Sequence, residues 1–145
     1  MNMPLNKPIW ITTPTLEQLN QPAPTLVTHL DINFTEIGAD YLVATMPVDH
    51  RTVPPFGLLH GGASVALAET LGSTGAFLTI DPQTQAAVGL EINANHIRGV
   101  RDGFVTGTAR PLHRGKSTQI WEVRVADPAG RLVCISRITV AIINQ

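Results

Sequence analysis

From Ala63 to Ile80 the chain carries a single ionisable side chain, Glu69, among residues that are otherwise apolar, small or hydroxyl-bearing. A helix with so little polar surface must be covered on most sides. Pro54 and Pro55 precede it and Asp81-Pro82 ends it, which are ordinary boundary signals. The stretch is long enough to raise the question of a membrane span. Ser64, Ser73, Thr74, Gly72, Gly75 and above all Glu69 argue against one. The rest of the fold therefore has to wrap a buried helix.

The flanking sequence supplies strands for that purpose. Tyr41 to Val48 alternates, with Leu42, Ala44 and Met46 on one face, and Gly38-Ala39-Asp40 turns it back on the run from His29 to Thr35. Four more strand-like runs follow Pro82: Val88 to Arg98, Phe104 to His113, Ser117 to Ala126 and Arg131 to Ile143. Turn signals at Arg101-Asp102-Gly103, Arg114-Gly115-Lys116 and Asp127-Pro128-Ala129-Gly130 separate them. Short turns predict antiparallel neighbours throughout. In the first of these runs Val88, Leu90, Ile92 and Ala94 are predicted to share an apolar face, and Glu91, Asn93 and Asn95 the opposite one. The sum is an α+β fold, a six-stranded antiparallel sheet curled round one long central helix. At 145 residues this is one domain, expected over residues 25–145. Residues 1–24 hold five of the eleven prolines and are expected to be irregular. A short helix near Thr15-Leu19, with Thr13 as cap and Pro14 in its first turn, would lay Trp10, Leu16 and Leu19 over the fold as a lid.

A net charge of −1 excludes general nucleic-acid binding. Only 14% of residues are charged while 43% are hydrophobic, an apolar balance that points to surface buried between subunits. The single Cys134 excludes an internal disulfide framework, and no signal-peptide pattern opens the chain. A cytoplasmic protein without a membrane anchor is the expectation.

Glu69 is the first candidate for chemistry, because an unpartnered buried carboxylate is costly. It can be half of a structural ion pair with an Arg of a neighbouring strand. Three features point instead to acyl transfer. His60-Gly61-Gly62 sits where the helix begins, so unpaired N–H groups and the positive end of the dipole face outward. Glycines let another group come close to that backbone. Ser73 follows Glu69 by one turn on the same face. No histidine has metal-ligand spacing, so no metal and no separate cofactor are expected.

The order of elements and three blocks of sequence resemble the hotdog-fold acyl-CoA thioesterases of the phenylacetate-degradation type. The blocks are Met46-Pro47-Val48-Asp49, Pro55-Phe56-Gly57-Leu58-Leu59-His60-Gly61-Gly62-Ala63-Ser64 with Leu67-Ala68-Glu69, and Val88-Gly89-Leu90-Glu91-Ile92-Asn93-Ala94-Asn95-His96. The likeness is strongest to the branch that hydrolyses 1,4-dihydroxy-2-naphthoyl-CoA in menaquinone synthesis or proofreads enterobactin assembly. It implies hydrolysis of an acyl-CoA, with an aromatic acyl group such as dihydroxynaphthoyl or benzoyl. Glu69 would be nucleophile or general base, the Gly61 N–H would polarise the thioester carbonyl, His60 would position it, and Ser73 would orient the water or the carboxylate. It also implies a homo-oligomer, a dimer or a dimer of dimers (homotetramer), with the site between subunits. One position departs from the pattern: the family usually carries Gln six residues before the His, where this chain has Pro54.

Coenzyme A is polyanionic, and Arg98, Arg101, Arg110, Arg114 and Lys116 gather half of the ten Lys and Arg residues. Arg98, Arg114 and Lys116 are the phosphate candidates. Gly62 and His96 complete the substrate-binding set, His96 being equally suited to pantetheine or nucleotide contact and to a core or interface position. A hotdog enoyl-CoA hydratase or dehydratase and a non-catalytic acyl-CoA-binding module are the competing functions.

Overall fold

The computed structural model describes residues 6–145; the first five residues of the expected N-terminal segment lie outside them. Two one-turn helices, α1 (Leu16–Leu19) and α2 (Leu26–His29), lead into β1 (Asn33–Ile37) and β2 (Leu42–Pro47). The long helix α3 (Gly61–Leu78) follows, and then β3 (Gln85–His96), β4 (Phe104–Arg114), β5 (Thr118–Ala126) and β6 (Leu132–Asn144). The six strands form one sheet in the order β1-β2-β4-β5-β6-β3, every pair antiparallel. α3 packs against β2, β3, β4, β5 and β6, so the sheet curls round it as the sequence predicts.

The helix and sheet meet through side chains that alternate as expected. Leu42, Ala44 and Met46 of β2 and Trp121, Val123 and Val125 of β5 are fully buried against Leu67 and Leu71. Each large side chain so buried contributes roughly 1.5–3 kcal/mol. Close approach is possible because Gly75 of α3 lies under the Trp121 ring; a Cβ there would stand 2.6 Å from its Cζ3. Trp10 stacks on Trp121, ring centroids 6.1 Å apart and 14° from parallel. Trp10 therefore does cover the core, while Leu16 is 38% exposed.

Several boundaries move. α1 is capped by Thr15, not Thr13, through a capping box with Gln18, since a Thr with a Gln three residues on satisfies two N–H groups at once. α2 was not anticipated; Thr25 and Thr28 form the same kind of box there. α3 begins two residues before Ala63 because His60 caps it.

The expectation that β3 and β4 are hairpin neighbours is overturned. β3 pairs only with β6 and forms the sheet edge, while β4 lies between β2 and β5. Residues 97–103 form a link too long for a tight turn, and they cross instead, held by Ile97 N–H to Val133 O at 2.7 Å and Leu59 N–H to Val100 O at 2.7 Å. The single apolar face predicted for β3 is also corrected. A bulge between Gly89 and Glu91 shifts the register, and one extra residue turns every later side chain to the other face. Ile92 and Ala94 pack on the core, whereas Val88 is 44% and Leu90 63% exposed.

Candidate active site

The opening turn of α3 is built by its cap. The His60 Nδ1 accepts the Gly62 N–H at 2.8 Å, and the His60 carbonyl accepts the N–H groups of Ala63 and Ser64 at 3.0 and 3.2 Å. Of the first four N–H groups of the helix, only that of Gly61 has no partner among the described residues. The macrodipole adds its positive end at this point. Gly62 is thus occupied by the cap, and the capping bond leaves the neutral His60 with its proton on Nε2.

A loop closed on itself delivers this turn. The His60 N–H donates to the Thr52 carbonyl at 2.8 Å, and the Gly57 N–H to Pro54 O at 2.9 Å. Gly57 has φ +80, a backbone state that suits glycine. Thr52, 1% exposed, anchors the loop: its hydroxyl donates to Pro47 O at 2.8 Å and accepts the Asp49 N–H at 3.1 Å. Arg51 grips Asp49 at 2.6 and 3.1 Å. That guanidinium and the Arg51 N–H hold the Asp49 carboxyl down to about 2. Sequence reasoning passed over Thr52 and Arg51; the Asp-His-Arg-Thr turn ahead of the loop was the available signal.

Gly61 lines a cavity of about 350 Å³ together with Phe56, Leu58, Ser64, His96 and Arg98, among others. His96, from the end of β3, lies against Gly61; a Cβ at that glycine would stand 2.9 Å from its Nε2.

Glu69 occupies a different place. It is half-buried, and its Oε1 accepts the Ser73 hydroxyl at 2.8 Å. The carboxylate faces Gly89 of β3, where a Cβ would come within 3.0 Å of Oε1. It opens on a second, shallower hollow formed with Leu90, Glu91 and Ile92. Eight residues of helix separate Gly61 from Glu69, which is about 12 Å along the axis. Within one chain the carboxylate and the free N–H therefore do not converge on one carbonyl carbon, although the spacing on one helix made them read as neighbours.

The cations divide in the same way. Arg98 lines the Gly61 cavity. Arg114 and Lys116 lie at the β4–β5 turn, and register carries Arg114 across to Gln119, Val140 and then Gly89, level with the Glu69 hollow. Arg110 pairs with Asp40 at 2.9 Å. Cys134 is buried and its thiol is pushed up by burial, as suits filler. Among the described residues no three His, Cys, Asp or Glu side chains converge as a metal cage would, and no helix is long and apolar enough to cross a membrane.

Known proteins share this sequence and this fold. Residues 56–134 match the thioesterase superfamily model, a span that includes both the Gly61 turn and Glu69. The 1,4-dihydroxy-2-naphthoyl-CoA hydrolase of Escherichia coli is 53% identical over 93% of this chain and 99% of its own. The proofreading thioesterase EntH of Cronobacter turicensis is 52% identical over 94% and 99%. The crystal structure of a mutant thioesterase from Pseudomonas aeruginosa superposes with a TM-score of 0.92 at 47% identity, covering 94% of this chain and 99% of that one. These relatives are hydrolases and thioesterases by name, which sets aside the hydratase and the non-catalytic binding module. A long helix wrapped by a six-stranded antiparallel sheet is the hotdog arrangement, and the chain belongs to the thioesterase superfamily.

Proposed function

We propose that the substrate is an aromatic acyl-CoA, 1,4-dihydroxy-2-naphthoyl-CoA or a benzoyl-CoA, and that each active site is shared by two copies of the chain. The observation that carries the second statement is the separation of Gly61 from Glu69 along one rigid helix. Neither group can move to the other without unwinding α3. A two-fold arrangement brings the Gly61 end of one copy to the Glu69 end of the next. The free edge of β3, with Val88 and Leu90 exposed beside Glu69, is the surface such a copy would cover. The resulting dimer would also bring Arg98 of one copy toward Arg114 and Lys116 of the other.

In this site the Gly61 N–H of one copy donates to the thioester oxygen. Glu69 of the other, aligned by Ser73, takes a proton from water as the water oxygen attacks the carbonyl carbon. The C=O electron pair moves onto oxygen, returns as the C–S bond breaks, and the thiolate of coenzyme A recovers the proton. Direct attack by the Glu69 carboxylate, giving a mixed anhydride that water then opens, uses the same geometry. The test is thiol release across a panel of acyl-CoAs with the parent and with Glu69→Gln. The parent should favour aromatic acyl groups, and the variant should fold and bind yet lose turnover by about 100-fold or more. Unchanged turnover in Glu69→Gln would remove that carboxylate from the mechanism.

A further inference from the structure

The cavity at the start of α3 offers a thioester oxygen one backbone donor, the Gly61 N–H, since the other early N–H groups of the helix are consumed by its cap. An oxygen gathering negative charge has room for a second donor. The loop that walls the cavity presents Phe56, Leu58 and Leu59, and Pro54 behind them has no donor either. The side-chain donors on the cavity wall are Ser64, His96 and Arg98. Ser64 is 2% exposed, one turn inside the helix. Arg98 lies beyond the end of β3, on an exposed stretch of chain suited to a phosphate. His96 alone has a polar atom against the Gly61 backbone, its Nε2 being 2.9 Å from the position a Cβ would take.

We propose that His96 is the second hydrogen-bond donor to the thioester carbonyl, its Nε2–H and the Gly61 N–H of the same chain converging on one oxygen. This rests on the thioesterase reading of the site and extends it, by moving His96 from coenzyme A binding to the reacting atom. No proton is transferred: the Nε2–H shortens its bond as the C=O electron pair moves onto oxygen and relaxes when the C–S bond breaks. The absence of a side chain at Gly61 has a reason in this arrangement, because any Cβ would push the imidazole away from the N–H it works with. His96 is a side chain on an exposed strand end, so the position is not needed to fill the core.

The experiment compares His96→Ala and His96→Gln with the parent on benzoyl-CoA and on benzoyl-N-acetylcysteamine, a thioester without the nucleotide. The parent must first release thiol from both, and Glu69→Gln must abolish it; failure there defeats the reading of the site rather than the role of His96. Loss of one oxyanion donor corresponds to about a 100- to 1000-fold fall in kcat. His96→Ala should show that fall on both substrates with little change in KM, and His96→Gln, which keeps an N–H donor, should recover part of it. If the alanine variant raises KM for benzoyl-CoA alone and leaves kcat on the small thioester intact, His96 is a coenzyme A contact and the proposal is overturned. It is equally overturned if kcat is unchanged on both. Should His96→Ala fail to fold, His96→Leu keeps volume without a donor and answers the same question.

Discussion

Replacing Gly61 by proline deletes one hydrogen-bond donor and sets a Cβ against the His96 imidazole. The residue before a proline is pushed into the extended region, and His60 is already there, with φ −67 and ψ 130. Gly61 is the first residue of α3, the position where proline is most at home. Its N–H donates to no group among the described residues, so no structural hydrogen bond is lost. The added Cβ meets the imidazole of His96 at 2.9 Å and displaces it, a cost that an alanine at the same position carries equally. Removing chain freedom at a compatible glycine should raise stability by about 0.4–1 kcal/mol. Loss of the oxyanion donor should raise the barrier by about 2.7–4 kcal/mol, a 100- to 1000-fold fall in kcat. Gly61→Ala is the matched control, because it adds the same Cβ and keeps the N–H. The assay is kcat for thiol release from benzoyl-CoA, with a thermal melt of each variant. If the proline and alanine variants turn over at the same rate, the Gly61 amide does not polarise the carbonyl and the account of the α3 terminus is wrong.

The shared site predicts complementation. Glu69→Gln and Gly61→Pro chains, each inactive alone, should after subunit exchange form mixed dimers with one intact site and reach about a quarter of parental activity; a mixture no more active than its components would place both groups in one chain. Ser73→Ala removes the 2.8 Å donor to the Glu69 carboxylate, and a bond to a charged, half-exposed group at the low end of about 1.5–3 kcal/mol corresponds to roughly a tenfold loss of kcat. An unaltered kcat would deny Ser73 its orienting role. The Asp49–Arg51 clasp predicts an acid dependence. The Asp49 carboxyl titrates in the folded state at about 2, below an unfolded value of about 3.9. Its stabilisation is therefore complete above the unfolded value and is lost as pH falls through about 2. Denaturant unfolding of Asp49→Asn should show a deficit at pH 6 that shrinks between pH 4 and pH 2, and a deficit independent of pH would exclude the clasp as its source.

Much of the site was legible in the linear chain because its parts are local. Helix initiation at His60-Gly61-Gly62 depends on residues three and four apart, and so does the Glu69–Ser73 contact. Buried faces of β2 and β5 followed from alternation, which one chain segment settles for itself. The β3 strand defeated the same reasoning at a single point. The bulge at Gly89 leaves no mark in an alternating pattern, since it depends on how β6 pairs alongside, and it set Ile92 and Ala94 on the opposite face from Val88. The partnership of β3 with β6, rather than β4, likewise followed from long-range pairing.

What the residues alone determined was the inventory: a helix too apolar to stand bare, enough strands to cover it, one carboxylate, and one amide-rich helix start. Each of these depends on propensities and spacings within a few residues. Only the tertiary structure decided who meets whom. It put His96 against Gly61 across the gap between β3 and α3, and left Glu69 beside Gly89. Rigid helical rise keeps the carboxylate and the amide apart on any one chain. Distances of that kind are set by packing between remote segments, which no local pattern encodes.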